Sequence, residues 1–282
     1  MRITRNCPQG QPNTGISACP IDFKYIVAAI LVANGTKLPA ALTAENLTAL
    51  CHDSLPNRVM PIKTFVEYAK NGGEAQASAV GYGPTQFTGL SQQTDTFSLA
   101  KYSPELHANL LKATNQVFGV YYVDKDNNII GVNDGTDILA PIPVTLIPNA
   151  TFFKTSSAQS VQTVGFAYVD TEYVHRNLDY FRADFDVPGA LVGLVEVEIV
   201  ATATTGKYKI IEHYGGYDRT AELGPSLVSD GEASFNNVTA ATYNSADETL
   251  SLTVAADAVP TLKSPSYLLA NDLAEGIIQY EP

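Results

Sequence analysis

The chain reads as mainly β: an N-terminal β-sandwich or barrel-like domain with one or two short helices, followed by a C-terminal immunoglobulin-like antiparallel β-sandwich. Three observations predict this. β-Branched and aromatic residues cluster in short runs, Gly and Pro pairs punctuate those runs, and strict apolar/polar alternation dominates the last third. With 45% apolar and 16% charged residues among 282, the chain can bury enough surface to offset its conformational entropy.

Residues 1–20 carry Pro8, Pro12, Pro20, Gly10 and Gly15 among polar neighbours, a composition for an extended arm rather than a regular element. Such an arm is either a frayed terminus or a strap laid over a neighbouring molecule, and the residues leave both readings open. The β-branched residues and Tyr25 from Phe23 to Ala33 predict a buried strand, although periodicity alone does not separate so short an apolar run from helix. A short helix follows, with Thr43 as cap, Glu45 in the first turn, and Leu47 and Leu50 on one face. Arg58 to Tyr68 returns to strand, and Asn71-Gly72-Gly73 and Gly81-Tyr82-Gly83-Pro84 break the chain.

Ser103-Pro104-Glu105 is the clearest local signal: Ser caps, Pro is pre-organised for the first helical position, and Glu complements the helix dipole. Leu106, Leu110 and Leu111 are then expected on the core face. Val117 to Val123 and Ile129 to Val132 form a hairpin around the polar turn Asp124 to Asn128. Pro141, Pro143 and Pro148 predict an irregular or edge-like segment, and Gln162, Val164, Phe166 and Tyr168 share one face of a further strand.

A boundary is expected near Ala183 to Gly189, giving an arm over 1–20, a β-rich domain over 21–185 and an acidic sandwich over 186–282. From Asp186 onward fourteen acidic residues face four basic ones, a net of −10 out of the −12 of the whole chain. Val195, Val197 and Ile199 alternate with Glu196 and Glu198, and Leu250, Leu252 and Val254 alternate with Thr249, Ser251 and Thr253. Turns fall at Thr205-Gly206, Gly215-Gly216 and Asp230-Gly231. There is no internal repeat.

Chemistry is sparse. Asp124-x-Asp126-x-Asn128 imitates the start of a calcium loop, but the sixth and twelfth positions are Ile129 and Gly135 instead of Gly and Glu. Asp170, Glu172 and His175 gather acids and a histidine within six residues, at what reads as a strand end emerging into solvent. His52, His107 and His213 show no paired metal-ligand spacing, and neither a phosphate-cradling Gly-rich loop nor a GxSxG elbow occurs. No cofactor is expected. The acidic balance disfavours specific nucleic-acid binding. Cys7, Cys19 and Cys51 are odd in number and lack a CxxC pair, which suits a reducing compartment, with a Cys7 to Cys19 bridge left open. The longest apolar run, Ile26 to Ala33, is too short to cross a bilayer and does not read as a signal peptide, so cytoplasmic synthesis and no membrane partner are expected.

The order of features from residue 20 to about 182 resembles virion proteins of tailed bacteriophages with Bacteroidetes-like hosts. Arg58-Val59-Met60-Pro61-Ile62, Gly81-Tyr82-Gly83, Ser103-Pro104-Glu105-Leu106 and the stretch Val120 to Gly131 carry this likeness. The tail tube subunit is the most similar type. That resemblance implies a structural, non-enzymatic role: a homo-oligomer in hexameric rings, stacked within the virion as a conduit for DNA that passes unbound, beside other virion proteins. Self-assembly contacts are expected from the arm (Cys7, Pro8, Pro12, Ile16, Pro20), from the hairpin acids Asp124 and Asp126, from Pro141 and Pro143, and from the aromatic pair Phe152 and Phe153. The acidic C-terminal module exceeds what a minimal tube needs. It suits outward decoration, or the alternative of a capsid-decorating, fibre or adhesin-type surface protein; a β-sandwich hydrolase using Asp170 or Glu172 and a non-viral fimbrial or surface protein are the remaining readings.

Overall fold

The structure is a computed structural model that describes residues 15, 23–79, 81–151, 153, 154, 156, 160–256 and 258–281. It is mainly β, as the sequence predicts. Two compact units divide it: one takes the chain up to Leu47 together with Val59–Leu191, the other takes Thr48–Arg58 together with the chain from Val192 onward.

The strands of the first unit are β1 (Ile26–Ala33), β2 (Met60–Lys63), β3 (Phe65–Asn71), β4 (Ala75–Ser78), β5 (Gln86–Leu90), β6 (Thr94–Leu99), β7 (Val117–Asp124), β8 (Asn128–Val132), β9 (Ile142–Thr151), β10 (Val161–Tyr168) and β11 (Leu178–Arg182). The helices are α1 (Ala44–Cys51), which runs across the division, α2 (Pro104–Lys112), α3 (Thr171–Asn177) and α4 (Val187–Ala190). Every strand pairing here is antiparallel, and the pairings curl round towards each other without closing. β1 joins β7, β7 joins β9, β9 joins β10, β10 joins β6, and β6 joins β3. β2, which runs into β3 through Thr64, returns to β1. Thr64 takes a positive φ of 66°, so the chain bends there and the wall splits: β2 stays on β1 while β3 follows β6. The result is a small barrel with one opened seam. β8 and β11 extend it from the end of β7.

Alternating residues fill this barrel. Phe65, Phe97, Val120, Tyr122, Ile142, Val144, Val164 and Phe166 are buried inside it, with Phe65 and Phe97 stacked at 4.6 Å and Phe97 and Phe166 edge to face at 5.9 Å. Ala28, Ile30, Val32, Tyr121 and Val123, on the opposite face of β1 and β7, are buried too. Segments outside the barrel are tied down there: the Leu38 N–H donates to the Tyr121 hydroxyl, and the Lys63 ammonium donates to the carbonyls of Pro188 and Leu191. In contrast, the outward residues of β6 and β3 are small or polar and at least partly exposed: Thr94, Thr96, Ser98, Glu67 and Ala69.

Ser103 caps α2 as expected, accepting from the Leu106 N–H, with Pro104 in the first turn. Leu110 is buried and Leu106 packs on the core, but Leu111 points outward and is exposed, so the expected stripe is narrower by one residue. The proline-rich segment is corrected in part: Pro143 and Pro148 lie inside β9, a regular ten-residue strand, while the stretch around Pro148 is edge-like as expected. Two features accommodate Pro141 and Pro148. Pro141 precedes the strand and packs on Gly119, while Pro148 falls beyond Thr145, where β9 has only β10 beside it among the described residues and no donor is missed on the other edge. Asp170 to His175 is also corrected, from strand end to helix: Asp170 caps α3 by accepting from the Tyr173 N–H at 2.9 Å, and Glu172 pairs with Arg176 one turn on.

The second unit has β12 (Val195–Ala201), β13 (Lys207–Glu212), β14 (Phe235–Asn236), β15 (Val238–Asn244), β16 (Thr249–Val254), β17 (Thr261–Leu262) and β18 (Ile277–Gln279), with helices α5 (Thr220–Leu227) and α6 (Pro265–Ala270). Five strands form one sheet in the order β15-β16-β13-β12-β18, antiparallel except for β12 with β18. Its inward residues Val197, Ile210, Leu250 and Leu252 meet Leu223 and Leu227 of α5, Leu268 of α6, and Phe235 and Leu262 of the β14-β17 ribbon. The alternation read from Val195 and Leu250 is therefore realised, with helices and a short ribbon supplying the facing layer. Thr48–Arg58 belongs to this unit through His52, which is buried: its Nδ1 bonds the Thr48 carbonyl at 2.8 Å and its Nε2 accepts from the Gly276 N–H at 3.0 Å.

Candidate functional site

The seam between β3 and the approach to β1 opens into a cavity of about 790 Å³ inside the first unit. Its floor is aromatic and polar, with Phe65, Gln93, Asp95, Phe97, Tyr122 and Tyr168 all buried. Lys24, Tyr25, Glu67, Tyr68, Lys70 and His175 stand exposed at the rim. β6 positions the floor, because Asp95 and Phe97 are inward residues two apart on the same strand.

Asp95 is the centre of this floor. Its carboxylate accepts from the Tyr68 hydroxyl at 2.9 Å, from the Gln93 amide at 2.8 Å, and from the Tyr168 hydroxyl. The Gln93 side chain is oriented from its other end by His175 Nε2, 2.7 Å from its oxygen, and its backbone N–H donates to the Thr171 hydroxyl. Helix α3 thus fixes the network from above. Burial and then the neighbouring carboxylate push the Tyr68 and Tyr168 phenols far above the ordinary tyrosine range, so both are proton donors at neutral pH. Burial, followed by the adjacent Tyr168 and Asp95, does the same to Tyr122.

The second feature is the ribbon of β4 and β5, between β3 and β6. Gly72 and Gly73 both take positive φ and launch it; a Cβ at Gly72 would meet the Gln92 carbonyl oxygen at 1.9 Å. All four residues of β4 are exposed, as are Tyr82 in the loop and Phe87 in β5. β3 is exposed from Val66 to Asn71 and has no strand on its outer edge among the described residues.

The residues singled out from sequence are scattered. Cys7, Pro8, Pro12, Ile16, Pro20 and Phe152 lie outside the described residues. Asp126 and Phe153 are exposed, while Pro141 is buried under Gly119 and Pro143 accepts from the Val169 N–H. Asp124 is fully buried and presents no charge to any surface. Its two oxygens accept from the N–H groups of Lys24, Asp126 and Asn128 and from the Asn128 amide, closing the hairpin turn and occupying the lone pairs a cation would use. Among the described residues no cluster of three His, Cys, Asp or Glu is placed to hold a metal.

Gln93 and Asp95 had drawn no attention in the sequence. The available signal was polar residues at inward positions of a strand that otherwise points Phe97 and Leu99 inward. In the second unit His213 is pinned, its Nδ1 2.5 Å from Glu198 and its ring stacked on Tyr280 at 3.5 Å, so Glu198 is part of a local pair on the strand face. No helix among the described residues is long and apolar enough to cross a membrane. No protein-family model matches the chain, and no curated protein matches it.

Proposed function

We propose that this chain is a non-catalytic structural subunit that assembles with copies of itself through the β4-β5 ribbon and the outer edge of β3. The ribbon is the observation that carries the reading. An isolated two-stranded ribbon is marginal in water, and this one displays Tyr82 and Phe87 along with unpaired backbone, a combination that a second chain would cover. Edge pairing between copies is open-ended unless symmetry closes it, so a ring is the natural product. The resemblance to tail tube subunits extends the proposal to hexameric rings stacked as a DNA conduit in a virion assembled in the host cytoplasm. A net charge of −12 suits a wall along which DNA slides without binding.

Purified full-length protein examined by sedimentation velocity and negative-stain imaging should give rings or tubes. Tyr82→Asp with Phe87→Asp should leave a monomer with unchanged circular dichroism. A wild-type chain that stays monomeric at its highest soluble concentration, or a double variant that still forms rings, would overturn the proposal.

A further inference from the structure

We infer that the barrel cavity binds a small organic cation, an alkylammonium or alkylguanidinium group, with Asp95 as its counter-charge. The inference is independent of assembly and starts from a count of protons. Asp95 is 4% exposed, and its three partners, Tyr68, Tyr168 and Gln93, are all neutral. Among the described residues no Lys, Arg or His forms an ion pair with it. A buried carboxylate whose partners are all neutral donors has no counter-charge beside it, and in a region of low dielectric an opposite charge is worth far more than in water.

Hydrogen-bonding capacity points the same way. A carboxylate offers about four acceptor positions, of which three are taken. The protons of Tyr68 and Tyr168 are spent on Asp95, so what these phenols turn to the cavity are lone pairs. The His175 Nε2 proton is directed at the Gln93 oxygen. Apart from the Tyr122 hydroxyl, which is buried without a partner among the described residues, the floor's donors are engaged, and the open acceptor position on Asp95 selects a ligand that donates. The walls complete the match: Phe23, Phe65, Phe97, Tyr122 and Tyr168 supply aromatic rings to an enclosed cation. Lys24 and Lys70 oppose a cation at the rim and Glu67 favours one, but all three are solvent-exposed and screened, whereas Asp95 is not.

The test is calorimetric titration of the full-length protein with butylammonium, butylguanidinium, butanol and butyrate. Saturable one-to-one binding of a cation is expected, at least tenfold tighter than either butanol or butyrate. Asp95→Asn should weaken the cation tenfold or more, while Asp126→Asn, at an exposed turn, leaves it unchanged. Lys70→Glu, an exposed rim change that does not touch the core, should tighten it several-fold and keeps the test valid should Asp95→Asn not fold. Cation binding no tighter than butanol, or unaltered in Asp95→Asn, or unimproved in Lys70→Glu, overturns the inference. Sedimentation in saturating butylammonium then separates two sources of the group. Dissociation of the assembly would mean that a lysine or arginine of a second copy fills the site, and an unchanged assembly that a free amine does.

Discussion

Replacing Tyr168 by Phe removes one oxygen from the centre of the barrel and nothing else. The ring, 4% exposed at the end of β10, keeps its place against Tyr122 and the floor, so no cavity larger than a hydroxyl is made. The loss is the bond to Asp95, along with the oxygen beside the otherwise unpartnered Tyr122 hydroxyl. Hydrogen bonds to charged groups contribute about 1.5–3 kcal/mol net. Because Asp95 retains Tyr68 at 2.9 Å and Gln93 at 2.8 Å, the lower part of that range applies, about 2 kcal/mol, or roughly thirtyfold in the folding equilibrium. Urea unfolding followed by near-ultraviolet circular dichroism, which reports the buried tyrosines, measures it. Tyr217→Phe, at an exposed position, is the control and should stay within about 0.5 kcal/mol of wild type. Combined with Asp95→Asn, Tyr168→Phe should cost less than it does alone, since the charge it serves has gone. A cost under about 0.5 kcal/mol, or the same cost in the Asp95→Asn background, refutes the view that this carboxylate is held by Tyr168.

Three further outcomes follow from the same geometry. Gly119→Ala should destabilise the first unit by about 1–3 kcal/mol in the same assay, because its Cβ would fall 2.6 Å from the Pro141 ring and 2.9 Å from Val32; a neutral result would show that β9 can shift away. Tyrosinate absorbance during alkaline titration should show Tyr122 and Tyr168 silent until the protein unfolds cooperatively. Their folded forms favour the neutral phenol, so this stabilisation is full below the unfolded value of about 10 and is lost as pH rises above it; smooth ionisation of all tyrosines near 10 would contradict this. His52→Leu should cost the second unit about 1–3 kcal/mol by leaving the Gly276 N–H without its acceptor, and hydrogen exchange at Gly276 should accelerate; an unaltered exchange rate would place the bond elsewhere.

What could be read from sequence was local chemistry. The Ser103 cap, the Asp124 to Asn128 turn and the alternation of Val195 to Ile199 each depend on neighbours a few residues apart, and each stands in the structure. The proline-bearing strand could not be read because its tolerance depends on where β7 ends opposite Thr145, a long-range fact. The Asp95 network was hidden for the same reason: Tyr68, Gln93, Tyr168 and His175 come from β3, the β5-β6 connection, β10 and α3, and no spacing links them. Asp170 to His175 was different. Its cap and its Glu172-Arg176 pair are local, and attention to possible chemistry obscured a plain helix start.

The bond between His52 and Gly276 also sets a clock. The two residues are 224 positions apart, and at a synthesis rate of about 5–20 residues per second the acceptor waits roughly 10–45 s for its donor to be made. Helix α1, by contrast, emerges early and begins in the barrel unit, so the nascent chain carries the first piece of its second unit while the first is still being completed. This closure of the second unit therefore waits until translation has passed Gly276.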